Sequence, residues 1–198
     1  MNKIINILKK KKSIPLNQFI NISLYDKKFG YYMKKNPFGQ RGDFVTAPLI
    51  SNLFGEMIAI WCIAFWKNLK KPKKILIVEL GSGSSYKTRQ LFSADSAPEF
   101  LETYVPFDVS ESMVREVAEQ LIVEYPYLSI HGIVGDFGRH LGHIPSASGP
   151  RLILFLGGTI GNLEPDERIL FLQQISEQMG PKDRLLIGMD LIKDVSVI

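Results

Sequence analysis

The run ILIVELGSGSSYKTRQLF, residues 75–92, constrains the fold more than any other stretch of the sequence. Residues 75–80 are apolar except for one glutamate, which is typical of a strand buried on both faces. Gly81 and Gly83 then form a tight turn, and residues 84–92 can continue as a helix. A buried strand, a glycine turn and a helix in this order predict the first unit of a parallel sheet.

The rest of the chain alternates in the same way, because short apolar runs are separated by amphipathic stretches. We expect an α/β fold with about five mostly parallel strands in the order 3-2-1-4-5, helices on both faces and an N-terminal helical extension. The predicted strands are 75–80, 102–107, 128–134, 151–158 and 184–191. The predicted helices are 14–25, 49–68, 84–92, 110–125 and 165–179.

Charge is distributed unevenly along the chain. Residues 1–74 carry 15 Lys and Arg against 3 Asp and Glu, whereas residues 75–198 carry 9 against 17. Because the lysines are scattered apart from residues 9–12, solvated basic faces are favoured over binding to nucleic acid or to an anionic membrane. The sequence predicts a helical and loop cap segment at 1–74, an α/β core at 75–198, and no nucleic-acid or membrane partner.

The single cysteine, Cys62, cannot form an internal disulfide, so a reducing compartment is expected. The N-terminus lacks the pattern of a secretory signal. The most apolar run, residues 57–66, is about half of the ~20 residues that span a bilayer. These features predict a cytoplasmic protein. His131, His140 and His143 show no convincing ligand spacing, so no metal site is predicted.

Three cofactors compete for the glycine turn. The dinucleotide loop G-x-G-x-x-G and the P-loop G-x-x-x-x-G-K-[ST] both require a glycine where this chain has Tyr86. S-adenosylmethionine carries no phosphates. It needs a turn that lets the backbone come close, here through Gly81 and Gly83, and acids at the ends of neighbouring strands. The tyrosine therefore weakens both phosphate interpretations and favours the third ligand.

Acidic residues follow two predicted strands next to the turn. Asp108 ends the second strand in VPFDVS, and Asp136 follows the third in GIVGDFG. Phe137 comes next, and its backbone and ring suit adenine. An alternative role for Asp108 is the N-cap of the following helix. Two acids together with the glycine turn favour S-adenosylmethionine, whose ribose hydroxyls and adenine amine are donors that carboxylates accept.

Five pieces of residues 75–198 resemble the histidine Nα-methyltransferase family of ergothioneine biosynthesis. They are VELGSGSSYKTR, YVPFDVS, GDFGRHL, LILFLGGTIGNLEP and LLIGMDLIKD. The resemblance implies a Rossmann-like class I methyltransferase fold with S-adenosylmethionine as cofactor. It implies cofactor contacts at Gly81, Lys87, Asp108, Asp136, Phe137 and Gly157, to which the turn itself adds Gly83. It also implies that Asn162 helps to hold the substrate, although an asparagine there is also a common turn residue.

Residues 13–80 resemble a different family, the arginine methyltransferases that assist assembly of respiratory complex I. The matching pieces are LYDKKFGYY, GDFVTAP, SNLFGE and VELG. The positions that carry the match are Gly30, Tyr31, Tyr32, Gly42, Asp43, Phe44 and Thr46, and one departure is Leu49. This resemblance implies arginine methylation and names the mitochondrial matrix as a second compartment. The sequence therefore predicts a chimera of two families that share one fold.

Together the two resemblances predict an S-adenosylmethionine-dependent N-methyltransferase. Its acceptor would be the α-amine of L-histidine or a protein arginine, and no residue is assigned as general base. The histidine family has further substrate-binding residues beyond the last strand, without counterpart in these 198 residues. The alternative is therefore a catalytically incomplete cofactor-binding or assembly module. An uncovered last strand also predicts self-association.

Overall fold

The computed structural model describes residues 2–11, 13–26, 28–31, 52–189, 191–192 and 194. Among these described residues, three helices lie before the sheet: α1 Asn2–Lys11, α2 Leu16–Tyr25 and α3 Leu53–Asn68. The sequence predicts α2 and α3 but not α1.

A turn follows α2. Gly30 closes this turn through its amide, which donates to Asp26 O over 2.6 Å, and a Cβ on Gly30 would lie 2.5 Å from Asp26 N. The close approach explains why glycine is required there. The related positions Tyr32, Gly42, Asp43, Phe44, Thr46 and Leu49 lie outside the described residues.

In the described part of the chain the sheet has six strands, and every pairing in it is parallel. The strands are β1 Ile75–Leu80, β2 Leu101–Asp108, β3 Ser129–Ile130, β4 Ile133–Val134, β5 Arg151–Phe155 and β6 Arg184–Ile187. Their order is β3-β2-β1-β5-β6, and β4 also pairs with β2. Since β3 and β4 together form the predicted third strand, the predicted order is confirmed.

Within the described residues, five α-helices follow β1, and some of them begin at a clear capping residue. They are α4 Tyr86–Phe92, α5 Ala97–Phe100, α6 Glu111–Glu124, α7 Phe137–His140 and α8 Pro165–Gln178. Ser110 caps α6 by accepting from the amide of Met113 over 3.4 Å. At α8 the side chains of Glu164 and Glu167 form a reciprocal capping box, which satisfies amides that the first turn leaves unpaired.

Side chains of β1 alternate between two apolar layers, one on each face of the sheet. Ile75 and Ile77 pack in a layer formed with α3, α4, α5 and α6. Leu76, Val78 and Leu80 pack in a second layer with α8 and residues 141–144. Both faces of β1 are therefore covered, as its apolar sequence predicts.

The strand register brings the carboxyl ends of the central strands to one edge of the sheet. Leu80 pairs with Phe107 of β2 and with Phe155 of β5. Phe155 in turn pairs with Ile187 of β6. Segments that follow β1, β2 and β5 therefore leave the sheet side by side, at the edge where parallel α/β sheets bind ligands. We call this the carboxyl edge.

Two local departures from the predicted elements have physical causes. Helix α4 begins at Tyr86 rather than at residue 84, because Ser85 has a left-handed φ of +53°. The third strand is interrupted at His131 and Gly132, yet His131 N still donates to Tyr104 O over 2.9 Å. The interruption therefore leaves this part of the chain attached to β2.

Helix α3 contributes one face to the core, whereas its Met57 and Ile60 side chains are exposed among the described residues. Cys62 and Trp66 are buried in the same layer as Ile75 and Ile77. The division of the chain at residue 74 stays a prediction. No helix in the described part of the chain is both long and apolar enough to cross a membrane.

Candidate cofactor site

The glycine turn, residues 81–85, is fixed to the carboxyl end of β2. The amides of Gly81 and Ser82 donate to Phe107 O over 2.8 and 3.3 Å. Gly81 and Gly83 have φ angles of +67° and +52°, a region that residues with a Cβ rarely occupy. The two glycines therefore let the chain leave β1 and enter α4 within five residues.

Asp108 lies directly beside this turn. Its Oδ2 accepts from the amide of Gly83 over 3.0 Å, and its Oδ1 accepts from the amide of Ser110 over 3.1 Å. Its carbonyl oxygen accepts from Gly135 over 2.9 Å, which brings the segment after β4 to the same place. The cap of α6 is Ser110 and not Asp108. The carboxylate is partly exposed and keeps lone pairs for further donors.

Asp136 and Phe137 follow Gly135 at the same edge. Asp136 is the N-cap of α7, and its Oδ1 accepts from the amide of Gly138 over 2.8 Å. The ring of Phe137 packs against Phe155, with ring centroids 5.0 Å apart. The structure therefore brings both residues to the predicted place and also gives each a structural role.

Glu79 is the one charged side chain of β1, and it is fully buried. The hydroxyls of Thr88 and Tyr104 each donate to its Oε2 over 2.5 Å. The ammonium nitrogen of Lys87 lies 3.2 Å from its Oε1. Among the described residues no donor reaches Oε1 with good hydrogen-bond geometry, so Lys87 meets this oxygen as an ion pair. These contacts compensate a buried charge that would otherwise be unfavourable.

Tyr104 extends this arrangement to the turn. Its hydroxyl lies 2.6 Å from Ser85 Oγ. Burial raises the pKa of Tyr104 well above 10.0, and the negative charge of Glu79 raises it further. We call Glu79, Ser85, Lys87, Thr88 and Tyr104 the Glu79 cluster. The roles of Ser85, Thr88 and Tyr104 were not predicted, although a glutamate within a buried strand signals that such partners must exist.

Lys87, which the resemblance implies contacts the cofactor, forms an ion pair with Glu79 in this structure. Its side chain is 17% exposed, so it retains access to the surface. The pairing gives Lys87 a role in the fold that needs no ligand. Its predicted cofactor contact stays a prediction.

Gly157 and Asn162 follow β5 at the carboxyl edge. Gly157 has a φ of +85°, and Asn162 ends a short 3-10 helix, Thr159–Asn162. Asn162 is exposed. Both residues therefore follow β5 at the edge that carries Gly81, and their contacts with a ligand and its acceptor stay predictions.

Open space lies next to two of these glycines. A Cβ built on Gly81 or on Gly157 would meet no described atom within 4 Å. The side chain of Ser82 is buried, and its Oγ has no hydrogen-bond partner among the described residues. Bare backbone facing open space beside an unpaired hydroxyl fits a ligand that approaches the main chain closely.

The histidines do not form a metal site in the described part of the chain, where no group of three or more His, Cys, Asp and Glu side chains is arranged to hold an ion. His140 Nδ1 lies 3.0 Å from Asp136 O, and His143 Nδ1 lies 3.2 Å from His140 O. Both rings are thus engaged locally by the backbone of the loop.

Comparison with known families agrees with this geometry. The profile of a family described as histidine-specific, S-adenosylmethionine-dependent methyltransferases matches residues 63–198. The match begins within α3 and covers the whole sheet with every residue of the candidate site.

Relatives of two kinds share sequence with the chain. Histidine N-alpha-methyltransferase of Mycolicibacterium smegmatis is 47% identical over 118 residues, which are 60% of this chain and 36% of that protein. Mitochondrial protein arginine methyltransferase NDUFAF7 of Xenopus laevis is 40% identical over 91 residues, 46% of this chain and 21% of that protein. The two matched stretches together are longer than the chain, so they overlap. The chain spans well under half the length of either relative.

A solved structure shows the same fold. A protein from Burkholderia thailandensis, crystallised with S-adenosylhomocysteine, superimposes with a TM-score of 0.57 and 22% identity over 77% of this chain and 39% of that one. With a family profile that covers more than half of its residues, this chain belongs to the S-adenosylmethionine-dependent, histidine-specific methyltransferases.

Proposed function

We propose that this chain binds S-adenosylmethionine at the carboxyl edge and promotes transfer of its methyl group to a nitrogen atom. The observation that carries the proposal is the 3.0 Å hydrogen bond from the Gly83 amide to Asp108, which unites the turn and the acid in one site. Membership in the family of histidine-specific methyltransferases supports it.

The described residues suggest how each part of the cofactor would be held. Gly81 and Gly157 would let the main chain lie against it, because neither carries a Cβ at a left-handed φ. Asp108 would accept hydrogen bonds from the ribose hydroxyls. Asp136 and Phe137 would bind the adenine.

The chemistry needs little from the protein beyond position. S-adenosylmethionine supplies a methyl group on a sulfonium sulfur, which a neutral nitrogen accepts by direct displacement. The nitrogen lone pair forms the new bond, the carbon–sulfur bond breaks toward sulfur, and the nitrogen afterwards loses a proton. Because no covalent protein intermediate is required, the chain would act by orienting the acceptor and excluding water. Asn162 is the proposed acceptor contact.

The α-amine of histidine is the first proposed acceptor, since the family description and the 47% identical relative both name histidine. A protein arginine is the second, because the relative that is 40% identical over 91 residues is named a protein arginine methyltransferase. The cytosol and the mitochondrial matrix correspond to these two acceptors, and the compartment stays a prediction.

Calorimetry with S-adenosylhomocysteine tests cofactor binding. We expect heat of binding with this ligand and none with ATP or NAD; the reverse result would exclude a methyltransferase site. Transfer of a labelled methyl group to L-histidine, and separately to an arginine-containing peptide, then tests turnover. Binding without labelling of either acceptor would show a non-catalytic cofactor-binding module.

Self-association through the last strand also remains a proposal. Within the described residues β6 pairs only with β5, and no described strand pairs with its other side. Met189, Leu191 and Ile192 beyond it are exposed. Exposed edges and apolar side chains favour pairing between chains. Light scattering over a range of concentrations should show a rise in mass, and a constant monomer mass would contradict the proposal.

A further inference from the structure

The Glu79 cluster joins the two ends of the glycine turn. Glu79 stands two residues before the turn, and Thr88 stands three residues after it. The Thr88 hydroxyl donates to Glu79 Oε2 over 2.5 Å, so the strand that enters the turn is bonded to the helix that leaves it. The shape of the turn therefore depends on buried side chains of β1 and α4 as well as on the residues of the turn itself.

Tyr104 completes this connection from the neighbouring strand. A carboxylate only accepts hydrogen bonds, so Tyr104 donates to Glu79 and Ser85 donates to Tyr104. The raised pKa of Tyr104, caused first by burial and then by the charge of Glu79, keeps its hydroxyl protonated. One phenol thus holds the last residue of the turn against the strand before it.

Ser85 needs such an anchor because of its backbone. It is a buried non-glycine residue with a φ of +53°. This conformation is unfavourable for a residue with a Cβ unless surrounding contacts maintain it. Loss of the contact between the Tyr104 and Ser85 hydroxyls would release Ser85. It would also release Gly83, which lies two residues before Ser85 and donates its amide to Asp108.

We infer that Tyr104 is a positioning residue for the cofactor site, holding the glycine turn through Ser85 and Glu79 in the form that admits the adenosyl group. This role rests on the proposed function. Tyr104 has no exposed surface, so it acts through its neighbours rather than by touching the ligand.

Tyr104→Phe tests the inference, and Tyr127→Phe is its matched control. The Tyr127 hydroxyl also makes a short hydrogen bond, donating to Phe92 O over 2.6 Å, but it does not touch the turn. Both substitutions keep the ring and remove one hydroxyl. Calorimetry should show S-adenosylhomocysteine affinity about tenfold weaker for Tyr104→Phe, the effect of one lost hydrogen bond to a charged group. Tyr127→Phe should lower the Tm without weakening affinity.

Ser85→Ala keeps the test decisive if Tyr104→Phe fails to fold, since it leaves both donors to Glu79 in place. It should also weaken binding, and the double variant should lose less than the two single losses combined. Wild-type affinity in Ser85→Ala or Tyr104→Phe, or an equal loss in Tyr127→Phe, would overturn the role of Tyr104. A wild-type chain that binds no S-adenosylhomocysteine would instead overturn the proposed function, and this role with it.

Discussion

The amide of Gly83 donates to Asp108 Oδ2 over 3.0 Å, so the turn after β1 and the acid that ends β2 share one hydrogen bond. Ser110 holds the other carboxylate oxygen over 3.1 Å. The acid is thus fixed in direction before any ligand arrives. A carboxylate held in this way binds a hydroxyl with little loss of side-chain freedom.

Asp108→Ala should weaken S-adenosylhomocysteine binding by about 1–3 kcal/mol, the size of a lost hydrogen bond to a charged group. Calorimetry measures the change. Asp95→Ala is the control, because Asp95 is an exposed carboxylate beyond α4 and outside the candidate site. Unchanged affinity in Asp108→Ala would show that the ribose assignment is wrong.

Gly81→Ala should lower affinity more than stability. A left-handed φ costs a residue with a Cβ roughly 1–2 kcal/mol, and the added methyl group would also occupy the open space at the turn. Gly142→Ala is the control, since a Cβ there also meets open space but without a left-handed φ. Thermal unfolding and calorimetry on both variants separate strain from blocked binding. Equal affinity in the two would contradict a ligand at Gly81.

Gly55→Ala should destabilise the fold by about 1–3 kcal/mol, although alanine is the better helix former. A Cβ on Gly55 would lie 2.7 Å from Gln90 Cγ and 2.9 Å from Lys87 O, so α3 would have to move away from α4. Urea unfolding measures the loss. Adding Gln90→Ala removes one of the two clashes and should recover part of it. A stabilised Gly55→Ala variant would show that these helices are not tightly packed.

Stability should fall in alkali through Cys62. Burial, reinforced by the charge of Glu79, raises the pKa of this thiol from 9.0 to about 12. The folded state therefore keeps a proton that the unfolded state releases, so stability is complete below pH 9 and declines between pH 9 and 12. The expected slope for one proton approaches about 1.4 kcal/mol per pH unit.

Urea unfolding at pH 8, 9 and 10 should show a steeper decline for wild type than for Cys62→Ala. The difference between the two chains isolates the thiol from other groups that titrate there. The buried thiol should also resist alkylation until denaturant is added. Parallel pH profiles would contradict the assignment.

Residues with local signals were predictable, and those held by distant contacts were not. The bounds of β1 follow from an apolar run that ends at Gly81, and the sequence predicts them residue for residue. The predicted start of α4 was wrong by two residues. The helix cannot begin before Ser85, whose left-handed backbone is held by Tyr104, nineteen positions away. The short helix α5 was missed, since its four residues are too few to show a period.

The candidate site divides in the same way. Asp108 and Gly83 could be placed together because the ends of adjacent parallel strands meet at one edge. The pairing of Lys87 with Glu79 could not be predicted, because a lysine in the first turn of a helix can reach either a ligand or the strand that precedes the helix. Side-chain direction, and not the order of elements, decides between these partners.

Helix α3 supplies Cys62 and Trp66 to the apolar layer that covers Ile75 and Ile77. A gene that exchanged its leading segment at the start of β1 would replace α3 as well, and would lose its share of the apolar layer on one face of the central strand. For the product to fold, the junction must therefore lie upstream of α3, or the new segment must supply a helix with an equivalent apolar face. Recombination between relatives of this fold is restricted by packing before any question of catalysis arises.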